Sequence, residues 1–367
     1  MQPYEPERLP LSNIDWAAHV TLIGQAQAAL ARYDGMLQSI VNPLILLSPL
    51  TTQEAVLSSR IEGTQASIED VLAYEAGGEE PSEPTRRADI QEINNYRRAM
   101  LVAVESLTTR PFSLNLLKDL HAILLDSVRG RDQSPGLFRR AQNWIAPAGE
   151  PIERATYVPP AWEQVEPAMS NWEEYLHAEE KDRLVQLAVA KAYLELVHPF
   201  RDGNGRLGRM LVPLYLYEHK LLSNPVFYLS GYLEAHRDVY YERLRAISRD
   251  GDWNGWIAFF LAATIEQAQT NTAKTKRILA LYERLKHEVP DIIHSQYVLQ
   301  TLDALFDHPV FHSADFMQRT GIPRDSAFRI LAALKSSTLI GELRPKSGRR
   351  AAILWFPELL EITESSS

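Results

Sequence analysis

The sequence predicts a mainly α fold, a helical bundle interrupted by one β-hairpin and followed by a winged helix. Three observations predict it. Apolar residues recur at helical spacing over most of the 367 residues. One central stretch, 134–160, abandons that spacing for turn formers and short apolar pieces. Near the C-terminus, two short helical patterns flank a Gly-Ile-Pro turn and are followed by two strand-like runs.

Taken in order, Ile14 to Ile40 reads as one or two helices with Asp15 as the N-cap. Thr51 to Glu62 reads as the next, because Thr51-Thr52-Gln53-Glu54 fits a capping box and Gly63 suits the C-terminal position. Ser67 to Ala76 is a short helix. Ala76 to Thr85, rich in Gly, Pro and Glu, is a linker. Arg87 to Glu105 and Ser113 to Val128 follow as helices. In the central stretch, Asn143 to Ile145 and Ala155 to Val158 flank a turn-rich tip and are expected to pair as a hairpin. Helices resume over Trp162 to Ala178 and Asp182 to Val197; Pro199 ends the second by disfavouring helical backbone at His198. Arg206 to His219, Glu234 to Asp250 and Trp253 to Leu285 complete the bundle, the last with a break or kink. Pro290 then opens a different unit, with helices over Gln296 to Asp307, Ala314 to Thr320 and Arg324 to Lys335. Strands at Ile340 to Leu343 and Ala351 to Phe356 make its wing. The expected domains are 1–85, 86–288 and 289–367.

Composition narrows the function. The net charge is −9, unsuited to broad charge-driven binding of nucleic acid, although a local basic patch remains compatible with it. There are no cysteines, which excludes disulfides, thiol nucleophiles and cysteine-held zinc. The N-terminus has no apolar signal core, and the most apolar stretches, such as Val41 to Leu50, are too short to span a bilayer. A cytoplasmic protein without membrane contact is expected.

The chemistry concentrates in HPFRDGNGRLGRM, His198 to Met210. Gly203, Gly205 and Gly208 spell GxGxxG, but a dinucleotide fingerprint follows a strand, and the segment before this run is helical. A P-loop needs Lys followed by Ser or Thr where this chain has Arg209 and Met210. A plain Asn-Gly turn accounts for the glycines and leaves the crowd of charges around them unexplained. Physically, a helix ends at His198, the chain turns through Gly203-Asn204-Gly205, and a new helix starts. Backbone N–H groups there form an anion-binding nest. Arg206 and Arg209, three apart, put two guanidiniums near that helix start and suit a polyphosphate. Asp202 would repel bare phosphates, so it implies a bridging divalent cation such as Mg2+. His198 is the side chain able to take a proton near neutral pH. The natural chemistry is transfer of a phosphate-linked group to a hydroxyl.

These residues resemble the Fic-domain signature HxFx[D/E]GNGRxxR, with all eight defined positions met. The resemblance extends to the flanking helices, the hairpin and the N-terminal region, over most of 10–285. It implies a Fic-type helical bundle with a β-hairpin flap, and an enzyme that moves AMP from ATP, with Mg2+, onto Ser, Thr or Tyr hydroxyls of a target protein or of itself. His198 would deprotonate the hydroxyl and Asp202 would hold Mg2+. Gly203, Asn204 and Gly205 would cradle the phosphates, with Arg206, Leu207 and Gly208 completing the nucleotide-binding loop. Arg209 would grip the γ-phosphate and Phe200 anchor the loop. SSRIEG, Ser58 to Gly63, is similar to the family's inhibitory motif, in which Glu62 would pair with Arg209 and Ser58 would share its helix face. Arg154, Ala155, Thr156 and Tyr157 would lie over the nucleotide, the flap would align the target segment as an added strand, and Tyr240 and Tyr241 would line the adenine side. Many relatives pair, so a homodimer is an expected assembly.

In the C-terminal unit, Arg324, Ser326 and Arg329 sit on the candidate recognition helix. Arg344, Lys346, Arg349 and Arg350 sit on the wing. Acidic residues balance them, leaving DNA and protein both open as partners. Two alternatives to transfer stand beside it: a nucleotide-sensing DNA-binding regulator without turnover, and Glu62-dependent removal of AMP.

Overall fold

The computed structural model describes residues 2–77, 83–127, 131–146, 149–346 and 351–365. The N-terminal helices are α1 (Trp16–Gln38), α2 (Pro43–Leu46), α3 (Ser48–Ile61), α4 (Ile68–Glu75), α5 (Pro84–Leu107) and α6 (Leu114–Leu124). Local chemistry fixes their starts. Asp15 caps α1 by accepting from the Ala18 N–H at 3.0 Å. Ser67 and Asp70 form a reciprocal capping box on α4. The box expected at Thr51 does not form, because α3 begins earlier, at Ser48, with Pro49 in its first turn. The Thr51 hydroxyl instead meets the Tyr228 hydroxyl at 2.6 Å. The end expected at Val128 lies outside the described residues.

The middle of the bundle comprises α7 (Trp162–His177), α8 (Arg183–Val197), α9 (Asn204–Glu218), α10 (Ser230–Ala235), α11 (Arg237–Asp250) and α12 (Trp253–Ile293). The helix expected over Glu234 to Asp250 is thus two, parted at His236. From Leu184 to Val197 every residue of α8 is buried, so α8 is the central rod of the bundle. α9 packs along it, buried almost throughout. The loop that joins them, carrying the conspicuous motif, is thereby held between two core helices.

Two expectations need correction. The central hairpin reduces to one antiparallel bridge, Ile145 with Tyr157, and Ile152–Arg154 forms a single 3-10 turn. Pro151, Pro159 and Pro160 have no N–H to extend the ladder. Second, Pro290 breaks nothing: α12 runs uninterrupted for 41 residues. Pro290 lies in the final turn, where its missing donor costs one hydrogen bond, and the fully buried Leu285 and Val289 hold the helix in place.

The C-terminal unit holds α13 (Val298–Asp307), β1 (Val310–Phe311), α14 (Ser313–Thr320), α15 (Arg324–Ser336), β2 (Gly341–Arg344), β3 (Ile353–Trp355) and α16 (Pro357–Glu364). Its antiparallel sheet runs β1-β3-β2, with Val310 and Gly341 both opposite Trp355. The three helices and two strands predicted here form in that order, with β1 and α16 added. Arg349 and Arg350 lie outside the described residues. The unit packs on the back of the bundle, α13 on α2 and α3, and α16 on α3 and α12. Among the described residues no helix is long and apolar enough to cross a membrane.

Candidate active site

The loop between α8 and α9 is built by backbone geometry first. His198 terminates α8 in left-handed backbone (φ 50°), and Gly203 (φ 80°) reopens the chain into α9. Asn204 closes the loop reciprocally: its Oδ1 accepts from the Phe200 N–H and its Nδ2 donates to the Phe200 carbonyl, both at 2.9 Å. The fully buried Phe200 ring stacks on His121 at 3.8 Å. His121 accepts from the Gly136 N–H through Nδ1 and donates through Nε2 to the Asp202 carbonyl.

Sequence reasoning missed Arg139. It is 2% exposed and clasps the loop from below, with its Nε donating to the His198 carbonyl at 2.9 Å and its Nη2 to the Pro160 carbonyl at 2.6 Å and to Val197. A cation on the carbonyls at the end of α8 complements the helix dipole. Burial lowers its guanidinium to about 10.

His198, half-buried, lines a cavity of about 550 Å³. Its Nδ1 donates to the Glu195 carbonyl at 3.3 Å, which leaves Nε2 as the basic nitrogen. Burial, opposed by that hydrogen bond, holds the imidazole below the ordinary histidine range, so it is neutral at pH 7. The same cavity is lined by Asp202, Gly203, Asn204, Gly205 and Arg209. Asp202 is 56% exposed; one carboxylate oxygen accepts from the Gly203 N–H at 2.6 Å and the other lies 3.5 Å from Arg206.

Arg209 is 1% exposed. Its Nε donates to the Ser58 hydroxyl and its Nη2 to the Ser58 carbonyl, each at 2.9 Å. Nη2 also meets Glu62 Oε1 at 2.6 Å. Burial alone would raise the Glu62 carboxyl; the Arg209 charge outweighs it, with Arg206 and His198 adding to the pull, so the carboxyl is held low. Burial would lower the Arg209 guanidinium, and the Glu62 charge reverses that too. Though ringed by protein, the Glu62 side chain keeps 37% exposure because its open side is the cavity. A Cβ on Gly205 would overlap the Glu62 carboxylate and stand 3.0 Å from Arg209 Nη1, so a side chain there would have to displace the carboxylate from its place on Arg209.

The remaining expected residues divide. Thr156, Tyr157, Tyr240 and Tyr241 line the cavity wall. Tyr157 donates its hydroxyl to the Leu196 carbonyl at 2.5 Å, which ties the flap to α8. Tyr240 and Tyr241 stack at 5.1 Å. Five others do not line the cavity. Arg154 turns outward onto Glu150. Ala155 is buried under the flap. Leu207 is core, packed on the inner face of α9. Gly208 faces Glu195, since a Cβ there would come 2.9 Å from Glu195 Cγ. Arg206 pairs with Glu92 at 3.2 Å, with Asp202 its second partner, and among the described residues its buried Nε has no partner.

Beneath the cavity lies a second group that the sequence reading passed over. Lys191 Nζ meets Glu195 Oε1 at 2.6 Å, and the Tyr240 hydroxyl donates to Glu195 Oε2 at 2.5 Å. The signal was available: Lys191 and Glu195 are the charged i, i+4 pair inside the otherwise apolar run of α8.

Comparison with known families agrees with this architecture. A model described as Fic/DOC family N-terminal matches residues 20–105, and one described as Fic/DOC family matches 111–216, together just over half of the chain. The chain belongs to the Fic/DOC family. Over 242 residues it is 26% identical to a protein named "Protein adenylyltransferase Fic" from Culex quinquefasciatus, covering 62% of this chain and 40% of that one. This Fic chain therefore spans well under half the length of that relative. Among solved structures, a Fic family protein from Desulfovibrio desulfuricans G20 superposes with a TM-score of 0.57 at 21% identity, covering 97% of this chain and 98% of that one. A Fic domain containing signaling protein from Bacteroides thetaiotaomicron VPI-5482 superposes at 0.52 and 14% identity, covering 70% and 97%. These likenesses establish the Fic fold.

Proposed function

We propose that this Fic protein is an auto-inhibited protein adenylyltransferase. It transfers AMP from ATP to a hydroxyl of a target protein and releases pyrophosphate. The observation that carries the reading is the convergence of His198, Asp202, the Gly203-Asn204-Gly205 turn and Arg209 on one cavity, with Glu62 on the arginine.

In the reaction, His198 Nε2 takes the proton of the incoming hydroxyl. The oxygen bonds the α-phosphorus as the bond from that phosphorus to the bridging oxygen breaks, and pyrophosphate leaves with the electron pair. The N–H groups at the start of α9 offset the charge that builds on the phosphate oxygens. Asp202 fits Mg2+ brought in with the nucleotide: it is a single exposed carboxylate with lone pairs to spare, and phosphate oxygens and water would supply the remaining positions. Magnesium bound there would neutralise phosphate charge. Arg209 is the natural partner of the γ-phosphate. While Glu62 occupies it, a carboxylate stands where a phosphate must enter, and the triphosphate binds badly or out of line. The flap segment, with its Ile145–Tyr157 bridge, offers backbone to a target strand.

Mass spectrometry of the purified chain and of cell lysate after incubation with ATP and Mg2+ tests the proposal. AMP adducts should appear with Glu62→Gly and vanish when His198→Ala is added. An inert Glu62→Gly protein that still binds ATP would favour nucleotide sensing without turnover. A second reading has its own support, because Glu62 shares the cavity with His198 and could orient a water. Release of AMP from a modified target, lost in Glu62→Gly, would favour it.

A further inference from the structure

On the far side of α3 from Arg209 lies a second cavity, of about 570 Å³, as large as the catalytic one. α3, α10, α12 and α16 contribute its walls, and nothing in the chemistry above uses it. Its α12 wall is unusual. Gln267, Asn271 and Lys274 follow one another at helical spacing and are 7%, 4% and 8% exposed. A stripe whose role was only packing would be apolar there.

The stripe is incompletely satisfied. Gln267 accepts from the Tyr232 N–H and donates to Asn271 Oδ1, both at 2.9 Å. Among the described residues Asn271 Nδ2 has no partner. Lys274 donates to the Thr363 carbonyl at 2.6 Å and to Gln53 Oε1 at 3.2 Å. Among the described residues, no carboxylate comes within ion-pair distance of its ammonium. A buried cation is costly: burial lowers this one to about 8, with Arg277 adding to the pull and the Glu364 carboxylate opposing it. Arg60 lines the same cavity from α3. Two cations and a spare amide donor therefore face one space. Glu54, Glu234, Glu266 and Glu364 also line it, which disfavours a polyanion and favours hydroxyl donors on whatever enters.

We propose that this cavity is a second ligand site, for a small hydroxylated metabolite carrying one carboxylate or phosphate group seated on Lys274, Asn271 and Arg60. Its α3 wall belongs to the helix that presents Ser58 and Glu62 to Arg209. Occupancy is thus linked to the catalytic cavity through one rigid element, a link that rests on the transferase reading.

Isothermal titration calorimetry on the full chain, with glycerate and with glycerol 3-phosphate in separate arms, tests the site. Saturable binding of one of them is expected, and the arm that binds identifies the anion. Lys274→Met removes the cation, and Ala235→Trp narrows the mouth without touching the stripe. Either variant, with native circular dichroism, should weaken binding at least tenfold. Saturable binding of neither probe overturns the proposal. So does binding that persists in both variants, because the probe then sits on the catalytic loop. Neither arm needs ATP or turnover, so the result stands or falls apart from the transferase reading. The link is read separately: a saturating probe should move the ATP dissociation constant at least twofold, and an unmoved constant removes the link.

Discussion

Arg209 and Glu62, 147 residues apart in the chain, meet at 2.6 Å, and the same guanidinium takes both the hydroxyl and the carbonyl of Ser58. Every part of that contact comes from the last turn of α3 and the second turn of α9. The pair buries an arginine where the reaction would need it free.

Glu62→Gly should therefore raise AMP incorporation at least tenfold and tighten ATP binding. It also leaves a buried guanidinium without its carboxylate, so thermal stability should fall in buffer and recover with ATP and Mg2+. Scanning calorimetry with and without nucleotide checks both. Equal stability and equal labelling in the two proteins would refute the assignment.

His198→Ala in the Glu62→Gly background should cut labelling by 100-fold or more while ATP affinity holds within a few-fold, because the ring lines the cavity without gripping phosphate. Burial holds the imidazole below its ordinary value, so the neutral, basic form predominates at pH 7. Labelling should be flat from pH 7 to 8 and decline only below about 6.5, the unperturbed value. A decline centred above pH 7 would contradict a neutral base.

Glu54 predicts a slope in stability. It is 2% exposed, and burial raises its carboxyl to about 7 against donors from Ser230, the Arg209 charge and the Tyr96 hydroxyl. A carboxyl raised in the fold favours the folded state below its unfolded value and loses that advantage as pH rises through the folded one. Unfolding free energy of the native chain, relative to Glu54→Gln, should thus drop between about pH 4.5 and 7 by roughly 1.4 kcal/mol per unit at most. Urea titrations across that window measure it, and a flat difference would mean the carboxyl is not raised.

Gly208→Ala should destabilise the chain by about 1–3 kcal/mol, since the new methyl collides with Glu195 and the Lys191–Glu195–Tyr240 group must shift. Glu195→Gln added to Gly208→Ala should not restore stability, because Lys191 would lose its buried counter-charge. Denaturation midpoints decide this. A neutral Gly208→Ala would show that Glu195 can move freely.

Much of this was legible because it is local. His198 to Arg209 is one loop and one helix start, and helical spacing alone located nearly every helix of the bundle. What stayed hidden depends on partners distant in sequence. Arg139 looks like any surface arginine until the fold lays it under the carbonyls that end α8. Arg206 reads as a free guanidinium until α5 brings Glu92 to it. Arg154 matched by position and yet turned outward, because the prolines around it leave the flap too short of donors to hold a regular strand. Pro290 misled in a different way: it reads as a break, yet near a helix end a proline removes little, and the packing around it decides.

α12 has one more consequence. At 1.5 Å per residue its 41 residues make a stiff spar of about 60 Å, shared by the N-terminal bundle and the C-terminal unit. There is no hinge in it to swing on. Exchanging the unit between proteins by cutting at Pro290 would sever a helix rather than a linker.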